Sequence, residues 1–118
     1  MALDNYDRIK AINDVVEAWV GFGSLPFITR ATISPGASWT FRATNPAQLA
    51  VLSMSRREAL CGFRTLNYVS AGWTAKTIAG SANLGGSSSG DTYTYTNNDS
   101  ERDVDMYVLA LKGIIEEV

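Results

Sequence analysis

The stretch DTYTYTNNDSERDVDMYVLALKG, residues 91–113, decides the fold class of this chain. Its first part alternates threonine with Tyr93 and Tyr95, which places both rings on one face of a predicted strand. A polar turn over residues 97–102 leads into a second strand, residues 104–111, with apolar side chains on both faces. The two strands are expected to form a hairpin. Because an edge strand seldom has two apolar faces, the second strand is expected to be central in its sheet or covered by another subunit.

The N-terminal part of the chain has a helical pattern instead. Residues 4–20 predict an amphipathic helix, whose apolar stripe has a 3-4-3 spacing and consists of Ile9, Ile12, Val16 and Trp19. The glycines at positions 21 and 23 are expected to end it. The stripe either packs on the chain's own sheet or forms a short seam between subunits, since two heptads are too few for a stable coiled coil alone. These four residues are therefore the candidate oligomer interface.

Beyond residue 24 the helical period disappears, and segments of strand character recur along the rest of the chain. This pattern predicts a mainly β fold, a β-sandwich or jelly roll of six to seven strands with one N-terminal α-helix. The predicted domains are residues 1–24, a helix and connector that could serve as a short oligomerisation stalk, and residues 25–118, a β-sandwich head. The Gly/Ser-rich segment at residues 81–91 is expected to be a loop.

The composition excludes several classes of function. The 118 residues include ten basic and twelve acidic side chains, interspersed, so a basic surface for nucleic acid is not expected. With no histidine and the single Cys61, the chain cannot build a Ser-His-Asp or Cys-His mechanism, a usual zinc site or an intrachain disulfide. The N-terminus does not have the pattern of a signal peptide, and no apolar run approaches the ~20 residues needed to span a bilayer. The sequence predicts a soluble protein, made in the cytoplasm, without membrane insertion.

Motifs for enzyme chemistry are weak. The segment GSANLGGSSSG, residues 80–90, does not have the Gly-Lys-Ser/Thr ending of a phosphate-binding P-loop. A glycosidase would need a pair of carboxylates facing each other across a cleft. Glu17, Glu58 and Asp91 are available, but nothing in the sequence marks any of them for this role. The acidic residues between Asp99 and Asp105 predict a solvated turn, with a loose surface Ca²⁺ site as the alternative. We therefore expect a non-enzymatic protein without a cofactor.

Candidate ligand contacts lie near two turns. Tyr68 and Trp73 flank the segment VSAG, where a partly exposed ring could stack on a sugar or anchor a protein partner; the alternative is that both belong to the core. Arg56 and Arg57 lie at a polar loop tip, which by default is solvated surface. The candidate ligand-contact residues are therefore Tyr68, Trp73, Arg56 and Arg57.

The strand segments together carry a resemblance. The chain resembles the small β-sandwich heads of bacteriophage tail fibres and related virion proteins. The resemblance is based on five segments: ATISPGASWTF, LAVLSMS, KTIAGSANL, DTYTYTNND and DVDMYVLALKG. In that pattern a strand enters through a Pro-Gly turn, a Thr-rich strand ends in Asn-Asn, and a final apolar strand ends at Lys-Gly. The resemblance covers about residues 28 to 113. This chain differs from the usual fibre in being short.

The resemblance implies a homotrimer that is displayed on the virion, where it contacts other virion proteins and a glycan or protein of the host surface. The expected function is a non-enzymatic structural module, a tail-fibre-like head for host-surface recognition or particle assembly. The alternative is a carbohydrate-binding module that uses exposed aromatic side chains.

Overall fold

The computed structural model describes residues 5–21, 28–56, 60–70, 72–80 and 85–118. These residues form one helix, α1 (Asn5–Gly21), and nine strands. The strands are β1 (Ile28–Ile33), β2 (Ser38–Ala43), β3 (Ala47–Met54), β4 (Gly62–Val69), β5 (Gly72–Gly80), β6 (Gly85–Ser89), β7 (Thr92–Thr96), β8 (Val104–Lys112) and β9 (Ile115–Glu117).

The strands form two antiparallel sheets. Sheet A has the order β1-β8-β3-β4-β5, and sheet B has the order β6-β7-β2-β9. The predicted class, mainly β and sandwich-like with one helix, is confirmed, although nine strands are present where six to seven were expected. The additional strands are β6 and β9, and β6 lies within a segment predicted to be a loop. Gly86 explains how this Gly/Ser segment can pair with β7, since an added Cβ would lie 2.6 Å from the hydroxyl oxygen of Tyr93.

An aromatic cluster fills the space between the sheets. Phe41 is fully buried, and its ring centroid lies 6.0 Å from that of Tyr93 and 6.3 Å from that of Tyr95. Trp39 packs beside Phe41 at 5.2 Å. These inward rings are the ones that the alternating pattern of β2 and β7 predicts, while Thr40 and the other polar residues of these strands point outward.

The central strands β3 and β8 of sheet A are largely buried on both faces, because α1 covers part of the face that does not meet sheet B. A second apolar cluster joins helix residues Ile9 and Val16 to Leu52 of β3 and to Tyr107 and Leu109 of β8. Since β8 lies between β1 and β3, the prediction that this doubly apolar strand is central is confirmed.

The predicted hairpin of residues 91–113 is wrong. β7 pairs with β2 and β6 in sheet B, whereas β8 pairs with β1 and β3 in sheet A. Asn97 shapes the turn between them: its buried Nδ2 donates to the carbonyl oxygens of Ile33 at 2.9 Å and Arg102 at 2.8 Å. The chain therefore crosses from one sheet to the other at this corner.

The sandwich core also contains a cation that the sequence did not indicate. Arg64 of β4 is buried, and its guanidinium carbon lies 5.6 Å from the ring centroid of Tyr95, in the range of a cation–π interaction. Burial raises the pKa of Tyr95, and the nearby Arg64 opposes this effect.

Candidate ligand-binding cleft

A cleft of about 390 Å³ lies at one end of the sandwich, where the end of β4 meets sheet B. This volume falls within the ~300 to 1,000 Å³ that is typical of small-ligand sites. We call it the Arg42 cleft; it is lined by Arg42, Ala43, Thr44, Asn45, Tyr68, Asp91, Ile114 and Glu116. The lining thus combines a cation, two carboxylates, a hydroxyl, an amide and an aromatic ring.

The backbone at the floor of the cleft is held by short-range contacts between two turns. The amide N–H of Thr44 donates to the carbonyl of Ile114 at 3.0 Å, and the amide N–H of Ile114 donates to Oγ1 of Thr44 at 2.9 Å. Gly113 precedes this contact with a φ of 85°, in the left-handed region that favours glycine. An added Cβ there would lie 2.6 Å from Oγ1 of Thr44, so the close approach of the two turns requires glycine.

Arg42 lies between two carboxylates at the mouth of the cleft. Its Nε is 3.3 Å from Oδ2 of Asp91, and its Nη1 is 3.4 Å from Oε1 of Glu116. All three side chains are about half exposed or more, so solvent screens these ion pairs and each stabilises the fold by at most about 1 kcal/mol. A guanidinium group has five N–H donors, and the two contacts occupy only part of this set. Arg42 can therefore exchange weak protein contacts for ligand contacts at low cost.

Tyr68 forms the inner wall of the Arg42 cleft, and the ring of Trp73 packs against it. They are paired across β4 and β5, and their rings stack with centroids 4.6 Å apart and planes 17° apart. Tyr68 is only 5% exposed, and Trp73 is half-buried with its Nε1 donating to the carbonyl of Gly90 at 3.0 Å. The structure therefore brings these two predicted contact residues together as part of the aromatic core. Only Tyr68 lines the cleft, and it does not form an exposed platform.

Arg56 lies far from this wall. Ala47, at the start of β3, pairs with Tyr68, whereas Arg56 follows the other end of the same strand. Seven residues of strand separate those ends, which corresponds to about 23 Å. Arg56 is exposed and lines a different, polar pocket of about 340 Å³ together with Arg102 and Asp103. Arg57 lies outside the described residues. Tyr68 and Arg56 thus do not line one cleft, and contact of each of the four predicted residues with a ligand stays a prediction.

Three residues of the predicted oligomer stripe, Ile9, Ile12 and Val16, lie on the face of α1 that meets sheet A. Ile9 is 0% exposed and Val16 is 4% exposed, and Ile12 is half-buried against the same cluster. The side chain of Trp19 lies outside the described residues. In the single chain Ile9, Ile12 and Val16 pack on the chain's own sheet, and a role of the four stripe residues between subunits stays a prediction, as does the boundary between residues 1–24 and 25–118.

A polar contact accompanies this packing of the helix. The hydroxyl of Tyr107 on β8 donates a hydrogen bond to Oε1 of Glu17 on α1. Burial of the phenol, together with this hydrogen bond, raises the pKa of Tyr107 to about 12. The described helix is not long and apolar enough to cross a membrane.

The acidic segment after β7 is a structured turn. Oδ2 of Asp99 accepts hydrogen bonds from the amides of Glu101 at 3.1 Å and Arg102 at 2.7 Å, while Asp105 accepts one from the hydroxyl of Thr32 at 2.7 Å. These contacts agree with the predicted polar turn. Among the described residues no cluster of three His, Cys, Asp or Glu side chains has a geometry that could hold a metal ion.

Arg42, the residue between the two carboxylates of the cleft, was not among the candidate residues from the sequence. Arg42 is exposed on β2, and its carboxylate partners lie 49 and 74 residues further along the chain. Asp91 was named only as one of several carboxylates that nothing in the sequence distinguishes. An outward arginine on an otherwise hydroxyl-rich strand was the available signal.

Comparison with known proteins gives no family assignment, because no family model and no curated protein sequence matches this chain. The fold is similar to that in the crystal structure of the Acinetobacter phage vB_ApiP_P1 tailspike protein, with a TM-score of 0.45 and 12% sequence identity. The similar region covers 81% of this chain and 23% of the tailspike chain, so this chain spans less than a quarter of that protein.

Proposed function

We propose that this chain is a non-enzymatic structural module of a phage virion, a tail-fibre-like head that recognises the host surface or assembles the particle. The Arg42 cleft is the observation that carries the recognition role. The virion assignment rests on the resemblance of the five strand segments to tail-fibre heads.

The cleft suits recognition of a hydroxyl-rich surface molecule. Arg42 supplies N–H donors, the carboxylates Asp91 and Glu116 supply acceptors, and Asn45 supplies both. These groups lie on strands or on turns fixed by backbone hydrogen bonds, so little ordering would be needed when a ligand binds. A glycan of the bacterial surface offers the complementary set of hydroxyl donors and acceptors.

The proposal includes a homotrimer located on the virion in contact with other virion proteins. Three copies of a weak site on one particle would act together, because binding of the first raises the effective concentration of the others. An apolar groove beside α1, which includes the exposed side chains of Val15 and Leu111, is consistent with an assembly contact.

A carbohydrate-binding module of a cellular enzyme is the second candidate. As predicted from the sequence, it would use exposed Tyr68 or Trp73 as a stacking platform. The burial of Tyr68 and the stacking of its ring on Trp73 do not favour that mode of binding. The polar cleft favours recognition through hydrogen bonds instead.

The proposal is tested by measuring how the fluorescently labelled protein binds to a panel of intact bacterial strains, with extracted surface polysaccharide as competitor. Arg42→Met removes the guanidinium donors but keeps most of the aliphatic stem. Arg102→Met is the matched control, since Arg102 is exposed and lines the pocket with Arg56 instead.

We expect the wild type and Arg102→Met to bind the same strains, and Arg42→Met to bind at least fivefold more weakly. Release of reducing ends from the polysaccharide is measured in parallel and should be absent. Binding that is equal for all three proteins would exclude the cleft, and binding to no strain would exclude host-surface recognition.

A further inference from the structure

The outward side of sheet B is a surface of hydroxyl groups that adjoins the Arg42 cleft. Because Tyr93 and Tyr95 point inward from β7, the alternating residues Thr92, Thr94 and Thr96 point outward. The register places residues of β2 and β6 beside them in continuous rows. We call this surface the hydroxyl face; it comprises Thr40, Ser87, Ser89, Thr92, Thr94 and Thr96.

One of these rows joins the hydroxyl face to the cleft. Thr92 pairs with Ser89 on one side and with Arg42 on the other, and Arg42 pairs in turn with Glu116. From Thr92 to Thr96 the face extends about 13 Å along the strand, and across β6, β7 and β2 it extends about 10 Å. It is therefore longer than a single sugar ring and leads directly into the cleft.

The charges around this surface are few and unbalanced. β6 and β7 contain no charged residue. At the cleft end Arg42 contributes one positive charge, whereas Asp91 and Glu116 contribute two negative charges. This local excess of negative charge disfavours a sugar that carries a carboxylate or phosphate, whereas an uncharged hydroxyl can both donate and accept.

The threonines also contribute to the sheet itself. The hydroxyl oxygens of Thr40 and Thr94 are 2.7 Å apart, a cross-strand contact that stabilises the sheet. Each hydroxyl has one donor and two acceptor positions, so this contact leaves capacity for a ligand. Within the described ranges, α1 packs on β3, β4 and β5 of sheet A, and no helix or strand covers the hydroxyl face.

We propose that the ligand of the Arg42 cleft is an extended, uncharged glycan chain, whose sugar residues beyond the cleft lie along the hydroxyl face. This inference rests on the proposed function, because it names the ligand class of the same site. It adds two requirements: affinity increases with chain length, and the outward hydroxyls contribute to it.

The test uses size-fractionated fragments of the surface polysaccharide of the strain that the wild type binds most tightly. Dextran oligosaccharides and polygalacturonate fragments serve as neutral and acidic references. Calorimetric titration compares the wild type with Thr94→Val, which removes one outward hydroxyl and keeps a β-branched side chain. Thr74→Val on β5 is the matched control, since Thr74 is exposed on a strand of the other sheet.

We expect affinity to rise at least tenfold from the shortest fragment to fragments of several sugars, with polygalacturonate the weakest ligand. Thr94→Val should weaken binding of the long fragments by about three- to tenfold, the loss expected for one hydrogen bond, and should leave the shortest fragment unaffected. Thr74→Val should bind as the wild type does.

Equal affinity for short and long fragments, or a preference for the acidic chain, would overturn this inference while leaving host-surface recognition intact. An equal effect of Thr94→Val and Thr74→Val would overturn the role of the hydroxyl face. If the wild type binds no strain, host-surface recognition fails, and this inference fails with it.

Discussion

Replacing Ile9 by alanine tests whether α1 belongs to the core of its own chain. Ile9 is 0% exposed and belongs to the same apolar cluster as Leu52 and Tyr107 of sheet A. If the helix instead served only as a stalk away from the sheet, this side chain would contribute little to the stability of the β-sandwich.

The expected loss follows from the groups removed. Isoleucine has three more carbon atoms than alanine, and each buried carbon contributes about 0.8 kcal/mol of transfer free energy, or about 2.4 kcal/mol together. A residual cavity adds to this, so we expect a decrease of about 3 kcal/mol in the free energy of unfolding, within the range of about 2 to 5 kcal/mol for such substitutions. With a urea dependence of about 1.5 kcal/mol per molar, the unfolding midpoint falls by about 2 M.

The assay is urea unfolding followed by tryptophan fluorescence at a fixed protein concentration. Val69→Ala is the control, because Val69 is 55% exposed and does not line the apolar groove beside α1. This control should change the free energy of unfolding by no more than about 0.5 kcal/mol. If Ile9→Ala and Val69→Ala differ by less than about 0.5 kcal/mol in the free energy of unfolding, the docking of α1 on sheet A is refuted.

Three further predictions concern the turn beside the cleft, the pH dependence of stability and the oligomeric state. Gly113→Ala is expected to destabilise the protein by at least about 1 kcal/mol more than Gly36→Ala. Both glycines have positive φ, but of the two only Gly113 lies against other atoms. Equal urea midpoints of the two variants would contradict this prediction. Because the pKa of Tyr107 is raised to about 12, its contribution to stability is complete below pH ~10, the value for an unfolded tyrosine, and is lost as the pH approaches 12. Between pH 9 and pH 11.5 the urea midpoint of Tyr107→Phe should therefore fall less than that of the wild type. An equal fall would contradict the raised pKa of Tyr107. In light scattering after size exclusion, the protein should have the mass of three 12.8 kDa chains. The double variant Val15→Asp, Leu111→Asp should have a lower mass. A wild-type monomer over a hundredfold concentration range would exclude the trimer.

The periodicity of the sequence was sufficient for the fold class and for the faces of the strands. Alternation in β7 correctly predicted that Tyr93 and Tyr95 share one face, and both are buried. The two apolar faces of β8 correctly predicted a central strand, because a strand covered on one side by α1 and on the other by sheet B needs apolar residues on both.

Strand partners could not be predicted in the same way. A period of two residues fixes which side chains share a face but not which strand lies alongside, so β7 and β8 were wrongly paired. The strand β6 was missed because its Gly/Ser sequence has no apolar alternation and forms a strand through backbone pairing with β7.

The cleft was less predictable than the fold. Its residues come from four separate parts of the chain, and Arg42 meets Glu116 only because β2 and β9 pair across 74 positions. Tyr68 lines the cleft, but its burial depends on stacking with Trp73, which requires the register of β4 and β5. Local sequence patterns specify neither the pairing of β2 with β9 nor the register of β4 and β5.

The central claim, that the Arg42 cleft is the recognition site, is tested most directly by amide chemical shifts. The ¹⁵N-labelled protein is titrated with polysaccharide fragments from the strain that it binds, and each amide is followed. The account predicts that shifts concentrate at residues 42–45, 91 and 114–116 and extend along β7, while residues 98–105 and α1 remain unchanged. Shifts confined to residues 98–105 or to α1 would contradict it.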